Sequence, residues 1–172
     1  MEPAVRVVDQ RHLESHRRLR REMLVDAPDE FWETLAEADA LTDADWRRDI
    51  ELRTFLQALD ETGAVVGQVG VLDEPYTDEH DLPADAVNIV GMYVSPSARG
   101  SGVSTRLMQA AADLARDRGR PVLMLDVSSG AARAIRFYER MGFQQTGVTE
   151  PHPRRDDLVW VQYRLDPSAL SG

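Results

Sequence analysis

Pro-Val-Leu-Met-Leu-Asp-Val, residues 121–127, is the stretch that most narrows the folds open to this 172-residue chain. It is continuously apolar up to Asp126 rather than alternating, as expected of a strand covered on both faces. Helical patterns flank it. From Ser101 to Arg118 the residues Val103, Leu107, Ala110, Ala111 and Leu114 share one face, and Gly119 stands where a helix-ending glycine belongs. From Ala131 to Met141 a second helix runs to Gly142. The apolar run Val87 to Val94 supplies a further strand ahead of this unit.

The rest of the chain adds elements on both sides. Val5 to Val8 reads as a short opening strand, with Asp9 as the cap of a helix over Leu13 to about Val25. A second helical region is expected from Pro28 to Ala38, and Thr42 caps a third from Asp43 through Ile50. Arg53–Leu59 and Ala64–Leu72 pair as a hairpin across Asp60-Glu61-Thr62-Gly63. The acidic stretch 73–86 is a loop, and two last strands near Phe143–Val148 and Leu158–Leu165 flank the polar loop 149–157. The order β, helices, β-hairpin, β, α, β, α, β, β describes one α/β domain over residues 1–172, a mixed sheet carrying helices. It is neither a Rossmann repeat nor a helical bundle.

Charge and composition exclude several function classes. With no cysteine, disulfides and thiolate-held metals are ruled out, and the histidines show no ligand spacing beyond His12 and His16, which sit among arginines. No metal is expected. No apolar stretch reaches membrane-spanning length and no signal-peptide pattern opens the chain, so a cytoplasmic protein without a membrane partner is the expectation. The net charge of −10 argues against a nucleic-acid partner. That charge is uneven: residues 26–61 carry 12 acids against 3 arginines, whereas residues 97–140 carry 8 arginines against 4 acids. An anionic ligand near the second region and a cationic one near the first would both fit. Ordinary surface solubility explains the same pattern.

The junction between the strand ending at Val94 and the next helix reads Arg99-Gly100-Ser101-Gly102-Val103-Ser104-Thr105. It lacks the Walker lysine, and Thr105 replaces the third glycine of a dinucleotide fingerprint. A helix N-terminus approached by glycines suits a phosphate, and it also suits a plain turn. Arg99-x-x-Gly102-x-Ser104 in this place resembles the cofactor turn, Arg/Gln-x-x-Gly-x-Gly/Ala, of the GCN5-related N-acetyltransferases, the GNAT family, with Ser104 where the family usually has glycine or alanine. A second motif strengthens the likeness. Ala134-Ile135-Arg136-Phe137-Tyr138-Glu139-Arg140-Met141-Gly142-Phe143 is similar to that family's A-I-x-F-Y-E-x-x-G-F helix and glycine stop.

The resemblance implies a mixed, mostly antiparallel sheet of about six to seven strands flanked by helices, with splayed central strands holding acetyl-CoA as co-substrate. Residues 87–143 would be the acetyl-CoA-binding core and 26–50 variable substrate-side helices. Backbone amides of Arg99, Gly100, Ser101, Gly102, Val103, Ser104 and Thr105 would hold the pyrophosphate. Met92, Tyr93 and Val94 would hold the thioester and pantetheine arm, with Phe137 beside them. Tyr138 would act as general acid toward the departing thiolate as an amine attacks directly. Its alternative is simple packing, with the hydroxyl bonded to backbone.

Two further positions depart from the family pattern. Asn88 stands where some members place a glutamate base, and an amide can only orient a water there. Ala131 stands where an asparagine often contacts the cofactor. Asp126, Asp73, Glu74 and Glu33 are the carboxylates that could substitute as base, Asp126 foremost because so apolar a strand demands a reason for it. The expected reaction is acetyl transfer to a primary amine, either a small molecule or a peptide. A non-catalytic CoA-binding module and transfer of another acyl group are the alternatives. A homodimer, common in the family, is a further implication.

Overall fold

A computed structural model describes residues 2–75 and 81–167. Residues 76–80, inside the acidic loop expected at 73–86, and residues 168–172 lie outside the described residues. The strands are β1 (Ala4–Val7), β2 (Thr54–Leu59), β3 (Val65–Leu72), β4 (Ala86–Val94), β5 (Val122–Ser128), β6 (Gln144–Pro151) and β7 (Val159–Leu165). The α-helices are α1 (Leu13–Asp26), α2 (Leu35–Asp39), α3 (Asp43–Leu52), α4 (Val103–Asp117) and α5 (Ala132–Met141). One seven-stranded sheet runs in the order β1-β2-β3-β4-β5-β7-β6. Neighbours pair antiparallel except β4 with β5, which are parallel.

The two faces have different covers. β5 is buried at every position except Asp126, which is intermediate, as the apolar run requires. Leu123, Leu125 and Val127 join the core that includes Leu107, Met108, Ala111 and Ala115 of α4 and Tyr138 of α5. Full burial of a side chain such as Leu107 contributes about 1.5–3 kcal/mol. α4 comes close enough to β3 that a Cβ on Gly67 would sit 3.0 Å from Leu107 Cδ1 and 3.1 Å from the Tyr93 carbonyl oxygen. On the opposite face Leu19, Met23 and Leu24 of α1 and Trp46 and Ile50 of α3 bury Phe55 and Tyr93.

One expected element is corrected. The helix anticipated over 28–38 forms only as α2, with Thr34 and Glu37 making a capping box at its start. Before it, residues 28–33 are turns and bends. Their carbonyls find another donor: the Arg154 guanidinium bonds Trp32 O at 2.8 Å, Phe31 O at 2.7 Å and Pro28 O at 3.0 Å. A distant arginine thus satisfies the backbone groups that a helix would have paired internally. β6 also extends to Pro151, shortening the loop expected at 149–157. The remaining elements lie within two residues of their expected ends.

The site is positioned by a gap in the sheet. β4 and β5 pair only where Ala86, Val87 and Asn88 face Val122, Leu123 and Met124. Beyond Asn88 the β3–β4 register shifts, and Gly91 takes a φ of +56° inside the irregularity. Such a bulge bends its strand and re-aims the residues beyond it. The two parallel strands therefore part after Asn88.

Candidate active site

A cavity of about 280 Å³ opens where β4 and β5 separate. Strand alternation makes it a passage between the two faces. Leu125 and Val127 belong to the α4–α5 core, so Asp126 between them points to the α1–α3 face. Ile89, Leu125 and Tyr138 reach the cavity from one side, and Asn88, Asp126, Phe55 and Gln68 from the other.

Polar groups lacking protein partners collect on these walls. Tyr138 is 7% exposed, and its hydroxyl makes no hydrogen bond among the described residues, so the expected backbone-bonded alternative is not what this structure contains. Its ring packs near Phe137 and Phe143, each 5.5 Å away between centroids. Burial, with Glu30 adding to it, raises the phenol pKa, so the proton stays on oxygen at neutral pH. Asn88 is equally buried, and its amide also has no side-chain bond among the described residues. Trp160 Nε1, also on the cavity wall, is buried without a partner. Buried polar atoms are normally paired, so such a concentration at one cavity calls for a ligand.

The helix start expected to hold phosphate is present. Gly100 and Gly102 adopt φ of +80° and +86°, and a Cβ on either would meet nothing within 4 Å. Gly102 caps α4 with no side-chain hydrogen bond to its first turn. The leading amides at Val103, Ser104 and Thr105 are therefore without a side-chain cap. Val103 is buried beneath them, Ser104 is half-buried and Thr105 exposed. Ser101 Oγ turns back onto the Ala98 carbonyl. This open, donor-rich turn fits a pyrophosphate.

Arg99 does not stand clear of the turn. It donates to Asp26 Oδ2 at 2.6 Å and to the Val94 carbonyl at 3.1 Å, and it lies over the Tyr93 ring. The Tyr93 hydroxyl donates to the same Asp26 oxygen at 3.1 Å. These contacts brace the end of β4 against the end of α1, and Arg99 holds the Asp26 carboxyl below its usual range. Met92 reaches the cavity, whereas the side chains of Tyr93, Val94 and Phe137 pack elsewhere.

The carboxylates divide clearly. Asp126 and Glu33 line the cavity; Asp73 and Glu74 do not, and Asp73 pairs instead with Arg118 at 3.0 Å. Glu33 is tied to Arg20 at 2.9 Å, and Arg20 also holds Asp49 at 3.0 Å. Glu30 and Glu37 are lining carboxylates that the sequence alone did not single out. Glu37 Oε2 accepts from the Thr34 amide. Glu30 keeps much of its surface in solvent, yet crowding around the carboxyl pushes its pKa up, with Arg99 and Arg133 opposing. His12 and His16 do not line the cavity: His16 joins Asp49 and Gln68, and His12 Nδ1 accepts from the Asp9 amide.

The loop bearing Glu30, Phe31, Trp32 and Glu33 is held from the β6–β7 connection. Besides the Arg154 clamp, Arg155 pairs with Asp29 at 2.7 Å, and His152 Nε2 donates to the Asp29 carbonyl at 2.9 Å. His152 stacks on Trp160 at 5.1 Å, and Trp32 lies 5.8 Å from Trp160. Nothing in the local sequence of residues 28–33 announces this tether.

Comparison with known proteins places these features. Two curated relatives, the L-methionine sulfoximine/L-methionine sulfone acetyltransferases of Pseudomonas paraeruginosa and Pseudomonas aeruginosa, are each 32% identical over 124 residues, covering 66% of this chain and 66% of theirs. The streptothricin acetyltransferase of Streptomyces lavendulae is 35% identical over 100 residues, 58% of this chain and 49% of that protein. The chain thus spans from about half to about two thirds of the length of these relatives. The fold matches yncA of Salmonella typhimurium, solved with its cofactor acetyl-CoA, at a TM-score of 0.72 with 21% identity, over 97% of this chain and 95% of that one. It matches a GCN5-related N-acetyltransferase of Kribbella flavida equally, at 0.72 with 20% identity over 95% and 97%. The model of the Acetyltransferase (GNAT) family matches residues 17–143, so the chain belongs to the GNAT family of acetyl-CoA-dependent acetyltransferases.

Proposed function

We propose that this chain transfers an acetyl group to a small-molecule primary amine of cationic character, with Tyr138 as general acid. The observation that carries the reading is the pair of buried, unpartnered side chains, Tyr138 and Asn88, at the gap between β4 and β5. Acetyl-CoA supplies the activated acyl group when bound. The amides of Gly100 to Thr105 hold its diphosphate, and β4 beyond Asn88, no longer paired with β5, offers main-chain groups to its arm. The Tyr138 hydroxyl, protonated and without a competing acceptor, donates to the sulfur that leaves.

The amine arrives from the α1–α3 face, where the lining carboxylates are Glu30, Glu33, Glu37 and Asp126. Arg20 and Arg53 also line it, Arg20 engaged by Glu33 and Asp49 and Arg53 by Asp49, so the wall holds more carboxylates than arginines and favours a cation. Asp126 takes the role of proton acceptor, with Asn88 orienting a water between it and the amine. Relatives named for methionine sulfoximine and for streptothricin support a small-molecule acceptor. The test is thiol release from acetyl-CoA across a panel of cationic and neutral primary amines. Release with cationic amines above neutral ones is expected. No release with any amine would overturn acetyl transfer, and equal rates would overturn the cationic preference.

A further inference from the structure

Gln68 points to a chemical requirement on the acceptor. Arg6, Gln57 and Gln68 stand directly opposite one another across β1, β2 and β3. Arginine carries only donors, so its bonds fix the polarity of the row. Arg6 Nε and Nη2 donate to Gln57 Oε1 at 3.1 and 3.0 Å. Gln57 Nε2 therefore faces the other way and donates to Gln68 Oε1 at 3.0 Å. His16 Nδ1 lies 3.2 Å from the same oxygen, and its Nε2 lies 2.9 Å from Asp49 Oδ2. The polarity of the row makes Gln68 Oε1 the acceptor that faces Nδ1. Burial raises the Asp49 carboxyl pKa, but His16, Arg20 and Arg53 together hold it below the ordinary value.

With Oε1 of Gln68 saturated from two sides, its Nε2 is left as a donor of fixed direction. Among the described residues that nitrogen makes no hydrogen bond, although Gln68 is only 5% exposed and lies on the cavity wall. It is not sealed: among the described residues Trp160 Nε1 is the buried side-chain nitrogen cut off from solvent without a partner. Gln68 Nε2 therefore meets the contents of the cavity, whose lining also includes Arg20, Phe55 and Glu33.

We infer that Gln68 is a specificity-determining residue, and that the acceptor amine carries a hydrogen-bond-accepting oxygen (carbonyl, carboxylate or sulfonyl) that Gln68 Nε2 binds. The inference deepens the acetyl-transfer reading and relies on it for which molecule enters the cavity. An acceptor lacking that oxygen leaves the amide unsatisfied and cut off from bulk water, which lowers its binding. Arg6, at the far edge of the row, acts as a positioning residue, because it prevents Gln57 and then Gln68 from turning over.

The test compares kcat/KM for L-leucinamide with that for isoamylamine, the same amine without the carboxamide, in wild type, Gln68→Met and Arg6→Met. Wild type is expected to favour L-leucinamide about tenfold, and both variants to bring the ratio toward one. No preference in wild type, or an undiminished ratio in Gln68→Met with folding verified, would overturn the inference. Arg6→Met lies at the sheet edge and keeps the test available if Gln68→Met does not fold. A second measurement follows the Gln68 side-chain amide resonances while L-leucinamide is titrated into the CoA complex. A shift without thiol release would refute acetyl transfer while supporting the role of Gln68, and an absence of shift would refute that role.

Discussion

Replacing Tyr138 by phenylalanine separates catalysis from packing with unusual clarity, because the hydroxyl has no hydrogen-bond partner to lose among the described residues. The ring contacts with Phe137 and Phe143 survive the change. Removing a buried hydroxyl that makes no hydrogen bond should leave stability unchanged or raise it by up to about 1 kcal/mol. The chemical step behaves oppositely. A positioned general acid is worth roughly 10²–10⁴ in rate, or about 3–5 kcal/mol of barrier. Single-turnover thiol release with saturating acetyl-CoA isolates that step from product release. The expected result is a loss of about a hundredfold or more, with the KM for acetyl-CoA preserved and a melting temperature no lower than wild type.

The pH profile sharpens the same prediction. Tyr138 has a folded pKa raised above the unfolded value near 10, so its proton is present on both states below that value. Its contribution to stability is full below about pH 10 and fades as pH climbs from there toward the folded pKa. Wild-type turnover should accordingly show no descending limb from this group below about pH 10. A Tyr138→Phe rate within threefold of wild type would refute the assignment and move the acid elsewhere.

Asp126→Asn should lower kcat/KM by about tenfold or more near neutral pH, and the loss should shrink as pH approaches the amine pKa of about 10, since a free amine needs no base; a constant deficit across pH would remove Asp126 as the proton acceptor. Ser104→Leu places a branched side chain on the half-buried second residue of α4 and should weaken CoA binding by about tenfold in calorimetry; unchanged affinity would put the phosphate cradle elsewhere. Arg154→Met removes three donors to the loop carrying Glu30 and Trp32. It should raise the amine KM about tenfold while leaving the acetyl-CoA KM within twofold, and an equal rise in both would show a global rather than an acceptor-side effect.

Strong local signals carried most of the architecture. Thr42 caps α3 with Asp45 as its reciprocal partner, and Gly142 ends α5 in the left-handed region with φ of +104°. The apolar sequence of β5 gave its two-sided burial directly. The failure at 28–38 has an equally local cause and a distant one. Thr34 and Glu37 were a readable start signal that places the helix later, but the tether from Arg154 spans more than a hundred residues and leaves no periodic trace. Gln57 and Gln68 are single polar residues within apolar strands, as Asp126 is. Their importance emerges only from the cross-strand register that lines them up with Arg6. Nothing in sequence spacing foretold that Arg99 would turn back onto Asp26.

Whether acyl donor and amine meet at the gap between β4 and β5 is decided by a crystal structure with acetyl-CoA bound. The diphosphate is expected on the amides of Gly100 to Thr105, the arm threaded between the parted strands, and the sulfur within about 3.5 Å of the Tyr138 hydroxyl. Density for the cofactor outside that gap, or a thioester facing away from Tyr138 and Asn88, would contradict it.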